Sequence, residues 1–459
     1  MKRVYFIGIG GIGMSALARY FKSKGYEVSG YDRTETELTR KLVSEGIEVR
    51  YTDDAAAIPA AYRTDKEQTL VVYTPAVPAA HAGMSWFRGN GYRLVKRSEA
   101  LGMISAGKRT VAVAGTHGKT SISTMTAFLL TEAGGGCDAF LGGISKNYQT
   151  NLLLSPGSEY LVAEADEYDR SFLRLHPFIA VVTAMDADHL DIYGTHDQLK
   201  AAFREFVSQI QCGGALLNRF GLELTAPAGV TRFTYSLDDV RADYYAEAVR
   251  ADAGWYVADI RTPQGVVKEV RIGAPGMVNV ENGIAAIAAA SLAGVSPEKA
   301  AREMASFAGV QRRFDYRVRR PDIVFIDDYA HHPEELRFTI ASVRELYPGK
   351  RITGVFQPHL YSRTRDFASG FAQSLSLLDE LILLDIYPAR EEPIAGVSSQ
   401  IIFDGVSIAR KQMCRKEDVI DILKERKPEV LLTLGAGDID TLVEPIERFI
   451  LNNKLGIIH

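Results

Sequence analysis

Three times along the chain, an apolar run ends in a glycine-rich or charged loop, and a helical pattern follows. The first such segment joins the run Val4–Ile9 to a predicted helix over Met14–Lys24 and then to a second predicted strand, Glu27–Tyr31. Short strands that alternate with helices are typical of α/β domains with parallel sheets. Ligands bind at the carboxyl ends of such strands, so we expect the chemistry in the loops that follow the apolar runs.

The order of the apolar runs divides the 459 residues into three segments, within the roughly two to four domains that this length suggests. We predict one domain for each segment, over residues 1–105, 106–311 and 312–459. The later segments contain predicted strands at Thr110–Ala114, Tyr160–Ala163, Ile179–Thr183, Ile323–Ile326, Ile352–Phe356, Leu381–Ile386 and Val430–Leu434, and a predicted helix at Pro333–Leu346. Short alternating runs between residues 215 and 275 predict antiparallel strands.

The composition narrows the class of protein. The formal net charge of -4 argues against a nucleic-acid-binding protein, which normally carries a basic excess. No apolar run reaches the ~18 to 20 residues that a membrane span needs, and no signal peptide is indicated. Cys137, Cys212 and Cys414 lie far apart, which predicts neither a disulfide framework nor a zinc cluster. We expect a cytoplasmic enzyme in which each cysteine is a small buried residue.

The loop after the first predicted strand carries four glycines in the G-x-G-x-x-G pattern, Gly8, Gly10, Gly11 and Gly13. Asp32 ends the second strand, at about the spacing of an acid that binds a ribose. Glycines let backbone N–H groups approach a diphosphate at a helix N-terminus, where the helix dipole is positive. The loop therefore predicts a diphosphate site, and it leaves open whether NAD, FAD or a UDP-sugar carries the diphosphate.

A second glycine loop follows the predicted strand Thr110–Ala114 and resembles a Walker A loop, although Val113 stands where the strict pattern has glycine. Its residues are Gly115, Thr116, His117, Gly118, Lys119, Thr120 and Ser121. The backbone N–H groups can cradle phosphates, Lys119 can reach the β- and γ-phosphates, and the Thr120 hydroxyl can bind Mg²⁺. This loop predicts ATP as a ligand.

Two acidic clusters follow two other predicted strands, at residues 164–167 and 186–191. Carboxylates this close repel one another unless a cation neutralises them, and Mg²⁺ prefers oxygen ligands. We therefore predict a metal near the second glycine loop. His189, inside the second cluster, is either a metal ligand or a capping histidine, and a structural role is the commoner one for a single histidine.

The third segment has further polar groups at its strand ends. They are Arg312-Arg313-Phe314 and the runs 327–333, 356–364, 384–391 and 434–439. The adjacent His331 and His332 match no zinc spacing, so we predict hydrogen bonds to a substrate instead. Arginines in such loops suit the recognition of carboxylates or phosphates. We expect these loops to form one wall of a cleft.

Together these motifs resemble those of the Mur ligase family over nearly the whole chain. The resemblance rests on the two glycine loops and on Glu164–Glu167, Asp188–Asp191, Arg312–Phe314, Asp327–Pro333 and Leu434–Asp438. It implies an α/β protein of three domains: a Rossmann-like N-terminal domain, a central P-loop ATPase-like domain and a Rossmann-like C-terminal domain. Phe356–His359 and Asp385–Glu391 are most similar to loops of the members that add L-alanine.

The resemblance also implies a reaction, the ATP-dependent ligation of L-alanine to the lactoyl carboxylate of UDP-N-acetylmuramate. This reaction passes through an acyl phosphate and is a cytoplasmic step of peptidoglycan synthesis. The implied cofactors are ATP and Mg²⁺, and the implied partners are the two small substrates, with no nucleic acid and no membrane. A monomer or a weak homodimer is expected.

Residue roles follow from the resemblance position by position. The implied nucleotide-sugar site consists of Gly8, Gly10, Gly11, Gly13 and Asp32, and the ATP site consists of residues 115–121 with Asn279, Asn282, Arg313 and Asp328. The implied Mg²⁺ ligands are Thr120, Glu164 and His189, and the amino-acid side has Tyr329, His331 and Arg363. Lys119, His189 and Arg313 are the implied catalytic residues. The chain departs from common family residues at Thr183, Val278 and Leu360.

Three alternative functions remain open at this point. A murein-recycling ligase of the same family would attach a ready-made tripeptide to UDP-N-acetylmuramate. An NAD-dependent dehydrogenase would use the first glycine loop, but it leaves the Gly-Lys-Thr loop and both acidic clusters unexplained. An ATP-driven mechanical or switch protein would hydrolyse ATP without any amino acid.

Overall fold

The structure is a computed structural model that describes residues 1–78, 80–187, 190–252, 255–389 and 391–452. The chain divides into two compact units. The first unit comprises Met1–Val249, Ala258–Arg271 and Glu281–Ala308, and the second comprises Arg250–Val257, Ile272–Val280 and Gly309–His459. Among the described residues, no helix combines the length and the apolar character that crossing a bilayer requires.

The first sheet has five parallel strands. They are β1 (Arg3–Ile7), β2 (Glu27–Tyr31), β3 (Glu48–Arg50), β4 (Thr69–Tyr73) and β5 (Arg93–Lys96). The helices of this part are α1 (Ile12–Ser23), α2 (Glu37–Ser44), α3 (Ala60–Thr64), α4 (Ala82–Gly89) and α5 (Arg97–Ser105). The strand order is β3-β2-β1-β4-β5, so the direction of strand addition reverses beside β1. The loop after β1 therefore lies at the point where such sheets bind ligands.

The second sheet has seven strands. They are β6 (Arg109–Ala114), β7 (Asp138–Ser145), β8 (Thr150–Leu153), β9 (Tyr160–Ala165), β10 (Ile179–Val182), β11 (Ala215–Arg219) and β12 (Thr231–Tyr235). Its helices are α6 (Lys119–Glu132), α7 (Leu190–Tyr193) and α8 (His196–Ser208). The order is β12-β11-β10-β6-β9-β7-β8, and β8 alone among the paired strands of this sheet runs antiparallel, to β7. Because β6 lies between β9 and β10, the three loops that follow these strands meet at one edge.

The first two sheets share a hydrophobic core, in which α1 packs against the hairpin of β7 and β8. The rings of Tyr20 and Phe140 lie 5.5 Å apart. The buried Asn151 donates from its amide nitrogen to the Ile12 carbonyl at 2.6 Å and to the Ser15 hydroxyl at 3.0 Å. A buried amide that finds such partners holds the two sheets in one relative position.

A third, smaller sheet and two helices follow in the chain. The strands are β13 (Tyr245–Asp252), β14 (Trp255–Thr262) and β15 (Gly265–Ile272), and the helices are α9 (Met277–Leu292) and α10 (Pro297–Met304). The prediction of antiparallel strands from residue 215 onward was wrong for β11 and β12, which pair in parallel within the second sheet. Four successive residues of β11 are buried, as is typical of an interior strand of a parallel sheet, and not alternately exposed.

The last sheet has six strands. They are β16 (Asp315–Arg319), β17 (Val324–Asp328), β18 (Ile352–Phe356), β19 (Glu380–Leu383), β20 (Arg410–Met413) and β21 (Val430–Leu434). The helices are α11 (Pro333–Leu346), α12 (Tyr361–Leu375), α13 (Gln400–Gly405), α14 (Val419–Arg426) and α15 (Val443–Asn452). The order is β16-β17-β21-β18-β19-β20, and β16 is antiparallel to β17. Successive strand residues enter two separate hydrophobic clusters, so the sheet is covered on both faces.

The three cysteines have different surroundings. Cys137 is buried, and burial raises the pKa of its thiol to about 12. Cys414 is half-buried. The expectation that all three are buried was wrong for Cys212, which is exposed in the turn between α8 and β11.

Candidate active site

The second glycine loop connects β6 to α6 and depends on glycine at two positions. Gly115 has φ +133° and Gly118 has φ +81°, values that favour glycine. A Cβ on Gly115 would overlap the hydroxyl oxygen of Thr183. That hydroxyl donates to the carbonyl of His117, so the threonine that departs from the common family residue ties the loop to the end of β10.

The other residues of this loop make contacts with the segment that follows β10. The N–H of Thr116 donates to the carbonyl of Ala184 at 3.2 Å, and its hydroxyl accepts from the N–H of Asp186 at 3.2 Å. Nε2 of His117 lies 3.6 Å from a carboxylate oxygen of Asp186. Ser121 is half-buried in the first turn of α6. The loop is thus fixed to the segment that follows β10.

Lys119 begins α6, and its ammonium group has three acceptors. It donates to the carbonyl of Gly115 at 2.7 Å and to both carboxylate oxygens of Glu167 at 2.9 Å. Burial on its own would lower the pKa of Lys119, but the carboxylates of Glu167, Asp166 and Glu164 outweigh it and raise that pKa. The lysine therefore carries its positive charge at neutral pH.

Thr120 and Glu164, two of the predicted Mg²⁺ ligands, are in direct contact. The Thr120 hydroxyl donates to Oε1 of Glu164 at 2.5 Å. A Cβ on Gly142, in the neighbouring strand β7, would overlap the Glu164 carboxylate. Two hard oxygen groups side by side, next to the second glycine loop, fit Mg²⁺ coordination. Asp188 and His189 lie outside the described residues, and the described ones contain no group of three or more His, Cys, Asp or Glu side chains arranged around a metal position.

The argument that the acidic cluster after β9 needs a metal to neutralise it was only partly right. Asp166 bonds to the guanidinium of Arg97 at 3.2 Å, and Asp169 bonds to the ammonium of Lys96 at 2.7 Å. With Glu167 paired to Lys119, two of the three carboxylates of the cluster 164–167, and the nearby Asp169, already have cationic partners from the protein. The acids are close in sequence, but they point to different cations, which spacing alone does not reveal. Glu164, which accepts from the Thr120 hydroxyl, is the remaining carboxylate of this cluster, and its role as a metal ligand stays a prediction.

The first glycine loop connects β1 to α1, and Asp32 supports it directly. Its carboxylate accepts from the N–H of Gly10 at 2.7 Å and from that of Thr34 at 3.2 Å. Gly8 has φ +87°, and Gly11 is the N-cap of α1. The structure thus gives Asp32 a role that the ribose-spacing argument did not foresee, because it orders the loop itself.

Arg97 is a candidate binding residue that the sequence reasoning missed. Its guanidinium lies over Gly13, where a Cβ would come within 3.0 Å of Nη1. The first turn of α1 contains no acidic residue. A guanidinium beside the positive end of a helix is unfavourable unless an anion compensates both. Asp166 compensates the guanidinium in this structure, and a substrate anion at the loop would do the same.

In the second compact unit, the segment Arg312–Phe314 has an uncommon backbone. Arg312 has φ +61° and Phe314 has φ +46°. The buried Asp328 accepts from the N–H of Phe314 at 2.8 Å and from that of Ala330 at 2.7 Å. Burial raises the pKa of Asp328 to about 6, against the opposing effect of Arg313. Asp328, expected at the ATP, therefore holds the turn that carries Arg313.

The two adjacent arginines differ in their contacts. Arg312 bonds to the buried Asp327 at 3.1 Å and to the carbonyl of Gly435 at 2.7 Å. Both guanidinium groups also lie near the ring of Tyr329, at 5.2 Å from its centre for Arg312 and 5.0 Å for Arg313. Strained backbone of this kind persists only where surrounding contacts enforce it, and it clusters at functional sites. Arg312 thus fixes the turn through its bonds to Asp327 and Gly435, and the conformation of that turn determines the position of Arg313.

The predicted amino-acid residues lie near this turn. Nδ1 of His331 is 2.9 Å from the carbonyl of Tyr329 and 3.3 Å from Glu335. Burial lowers the pKa of His331 to about 4, with Arg363 acting in the same direction and Glu335 opposing it, so the ring is neutral at physiological pH. Arg363 lies in the first turn of α12.

The two asparagines expected near an adenine lie on α9. Asn282 is beside the second glycine loop, since a Cβ on Gly118 would lie 3.0 Å from its side-chain oxygen. Asn279 donates to the carbonyl of Pro275 at 2.6 Å. Both are largely buried, which fits side chains that order a loop or line a base pocket.

Sequence comparisons match all three parts of the chain to one family. Residues 3–109 match the profile described as the Mur ligase family, catalytic domain, residues 113–290 match the Mur ligase middle domain, and residues 312–437 match the Mur ligase, glutamate ligase domain. A UDP-N-acetylmuramate–L-alanine ligase of Phocaeicola vulgatus is 54% identical over 97% of both chains. One of Parabacteroides distasonis is 53% identical over the same shares.

Solved structures agree with the sequence relatives. The crystal structure of a UDP-N-acetylmuramate-alanine ligase from Thermotoga maritima superposes with a TM-score of 0.83 at 26% identity and covers 98% of this chain and 100% of its own. A murein peptide ligase from Psychrobacter arcticus, with a TM-score of 0.72 at 22% identity over 100% of both chains, shares the fold. The chain, an α/β protein with several parallel-sheet domains, belongs to the Mur ligase family.

Proposed function

We propose that the protein joins L-alanine to the lactoyl carboxylate of UDP-N-acetylmuramate, with ATP as the energy source. The observation that carries this proposal is the cluster at the second glycine loop, where Lys119 and the Thr120–Glu164 pair converge. The names of the relatives at 53% and 54% identity supply the substrates. We place the reaction in the cytoplasm, as a step of peptidoglycan synthesis, and expect a monomer or a weak homodimer.

The proposed chemistry assigns one task to each part of the chain. The domain over 1–105 binds the nucleotide sugar at the first glycine loop, the domain over 106–311 binds ATP, and the domain over 312–459 supplies Arg313 and the amino-acid side. Thr120 and Glu164 would hold Mg²⁺, together with His189, and the ion would neutralise phosphate charge. Lys119 and the loop amides stabilise the negative charge that develops on the transferred phosphoryl group.

The covalent changes follow in two steps. A carboxylate oxygen of the muramoyl group attacks the γ-phosphorus, the bond to the bridging oxygen breaks, and ADP leaves. The amine of alanine then attacks the acyl carbon, the tetrahedral intermediate collapses, and phosphate leaves as the nitrogen loses a proton. The protein contributes positioning and charge stabilisation rather than a covalent bond of its own.

The alternative functions are supported by fewer observations than the ligation of L-alanine. A dehydrogenase gives no role to the Lys119 ammonium or to the Thr120–Glu164 pair. A murein-recycling ligase would keep the same ATP chemistry and differ in the amine substrate, and the relatives near 50% identity are named for L-alanine.

Phosphate release separates these functions in one assay. The protein would be mixed with ATP, Mg²⁺, UDP-N-acetylmuramate and, in separate reactions, L-alanine, glycine, L-serine or the tripeptide. We expect rapid release with L-alanine and near silence when any substrate is omitted. Release with the tripeptide alone would favour the recycling enzyme, and release without an amine would favour a mechanical ATPase.

Lys119→Ala tests the role of the lysine in that assay. We expect phosphate release to fall by about a thousandfold or more, as for the loss of a key charge in phosphoryl transfer. Lys66→Ala, which removes an exposed lysine, is the control and should keep the original rate. A Lys119→Ala protein with near-normal ADP formation would refute this assignment.

A further inference from the structure

All three N–H donors of the Lys119 ammonium group are used in hydrogen bonds. A lysine has three N–H donors. One is 2.7 Å from the Gly115 carbonyl, and the other two are 2.9 Å from the two carboxylate oxygens of Glu167. A phosphate that binds to Lys119 must therefore displace at least one existing acceptor.

Glu167 is the acceptor that a phosphate would displace. The Gly115 carbonyl belongs to the loop backbone, whose conformation β6 and Thr183 fix, whereas a side-chain carboxylate has torsional freedom. Glu167 is fully buried, so its charge has little water to compensate it. Its backbone carbonyl accepts from the Tyr193 hydroxyl at 2.6 Å, which holds the end of β9 in place.

We propose that Glu167 is a positioning residue that competes with the nucleotide phosphates for the Lys119 ammonium and so sets the affinity for nucleotide. This inference depends on the proposed function, since the phosphates are those of ATP or ADP. When a phosphate arrives, it takes over one or two donors from the carboxylate, and the lysine stays neutralised throughout the exchange. The displaced Glu167 carboxylate stays buried and loses its partner in this exchange, and this cost lowers the affinity for the nucleotide.

The substitution Glu167→Gln isolates this competition. Glutamine has nearly the same shape and retains one carbonyl oxygen for Lys119, but it lacks the charge and the second acceptor. One lysine donor then becomes available to a phosphate, and the phosphate becomes the only full negative charge that the lysine can pair with at that position. We expect the Kd for ADP to fall by about tenfold, since a hydrogen bond between charged groups is stronger than one to a neutral amide.

The experiment is isothermal titration of the full-length protein with ADP in buffer without added divalent cation. The control is Asp169→Asn, because Asp169 lies in the same loop and also bonds to a lysine, Lys96, at 2.7 Å. Its loss removes one negative charge near the site without touching Lys119, so its Kd for ADP should stay within about twofold of the original. Tighter binding is a readout that a damaged fold does not produce.

An unchanged or higher Kd for Glu167→Gln would overturn the inference, as would equal tightening in Asp169→Asn. If Glu167→Gln does not fold, as judged by thermal unfolding, Glu167→Asp takes its place. The shorter side chain reaches Lys119 with at most one oxygen, so we expect an intermediate decrease in Kd. If the unsubstituted protein did not bind ADP at all, the proposed function would be wrong. That result differs from the outcomes above, which test only the role of Glu167.

Discussion

At the scale of single residues, pairing between opposite charges organises the candidate site. The carboxylates that follow β9 contact different cations: Asp166 bonds to Arg97, Glu167 to Lys119 and Asp169 to Lys96. Lys96 ends β5 and Arg97 begins α5, whereas Lys119 begins α6, after the second glycine loop. A single short loop therefore connects the surroundings of both glycine loops.

The proximity of Lys119, Thr120 and Glu164 was predictable because parallel strands end at a common edge. The choice of partner for each acid was not. It depends on the backbone just after β9, where Asp169 and Arg170 both have φ +54°. Two successive non-glycine residues in this region are uncommon, and no spacing rule anticipates them.

Gly142→Ala tests whether Glu164 must lie where it does. The added methyl group would overlap the Glu164 carboxylate and push it away from Thr120. Changes beside a metal ligand typically cost about 10- to 100-fold in metal affinity or activity. We therefore expect the Mg²⁺ concentration needed for half-maximal phosphate release to rise by about 10- to 100-fold.

Gly135→Ala is the matched control, because a Cβ at that position meets no atom within 4 Å and the backbone there is not left-handed. It should show the original Mg²⁺ dependence. An unchanged Mg²⁺ requirement in Gly142→Ala would mean that Glu164 is not a ligand.

Asp328 makes a pH-dependent contribution to stability. Its pKa is raised to about 6 by burial, from an ordinary value near 4. Below about pH 4 both folded and unfolded chains hold the proton, and between about pH 4 and pH 6 only the folded chain does. The stability that this proton provides is therefore present at low pH and is lost as pH rises through about 6.

The measurement compares the free energy of unfolding in urea with that of Asp328→Asn at about pH 4 and about pH 7. The difference between the two proteins should change by about 3 kcal/mol, the equivalent of roughly two pKa units for a buried group, with the aspartate relatively less stable at the higher pH. A difference that does not vary with pH would show that Asp328 ionises normally.

At the scale of secondary structure, strong apolar runs gave accurate bounds. Glu27–Tyr31, Ile352–Phe356, Val430–Leu434 and the helix Pro333–Leu346 are confirmed residue for residue. The predicted strand Leu381–Ile386 was wrong at its end, because β19 ends at Leu383. Leu384 and Ile386 are buried in the loop that follows, where burial keeps them apolar without strand pairing.

The hairpin of β7 and β8 escaped prediction. Gly142 and Gly143 lie inside β7, and glycine weakens a strand signal. The hairpin packs against α1, and Gly142 in β7 leaves space for the Glu164 side chain. Both packing contacts join segments that are distant in the chain, so a local sequence pattern cannot predict them.

Arg97→Ala tests the contribution of the first turn of α5 to substrate binding. The guanidinium lies over Gly13 of the first glycine loop, so its loss should raise the KM for UDP-N-acetylmuramate by about tenfold or more. The KM for ATP should change little. Arg93→Ala, on an exposed residue of β5, is the control in the same steady-state assay. Equal increases in both KM values would assign Arg97 a purely structural role.

At the scale of the whole molecule, the prediction of three domains came from three segments that each open with an apolar strand and a glycine-rich or polar loop. The separate sheets and the family match confirm the fold class. The predicted bounds 1–105, 106–311 and 312–459 remain a prediction. The shared core of the first two sheets was not foreseen, because it depends on how α1 meets the β7–β8 hairpin.

The central claim is that ATP activates the muramoyl carboxylate as an acyl phosphate, and oxygen transfer tests it most directly. UDP-N-acetylmuramate carrying a heavy oxygen isotope in its carboxylate would be converted with ATP and L-alanine, and the released phosphate would be examined by mass spectrometry. The account predicts one labelled oxygen in each phosphate, because the carboxylate oxygen that attacks phosphorus leaves with it. Phosphate free of label would contradict it.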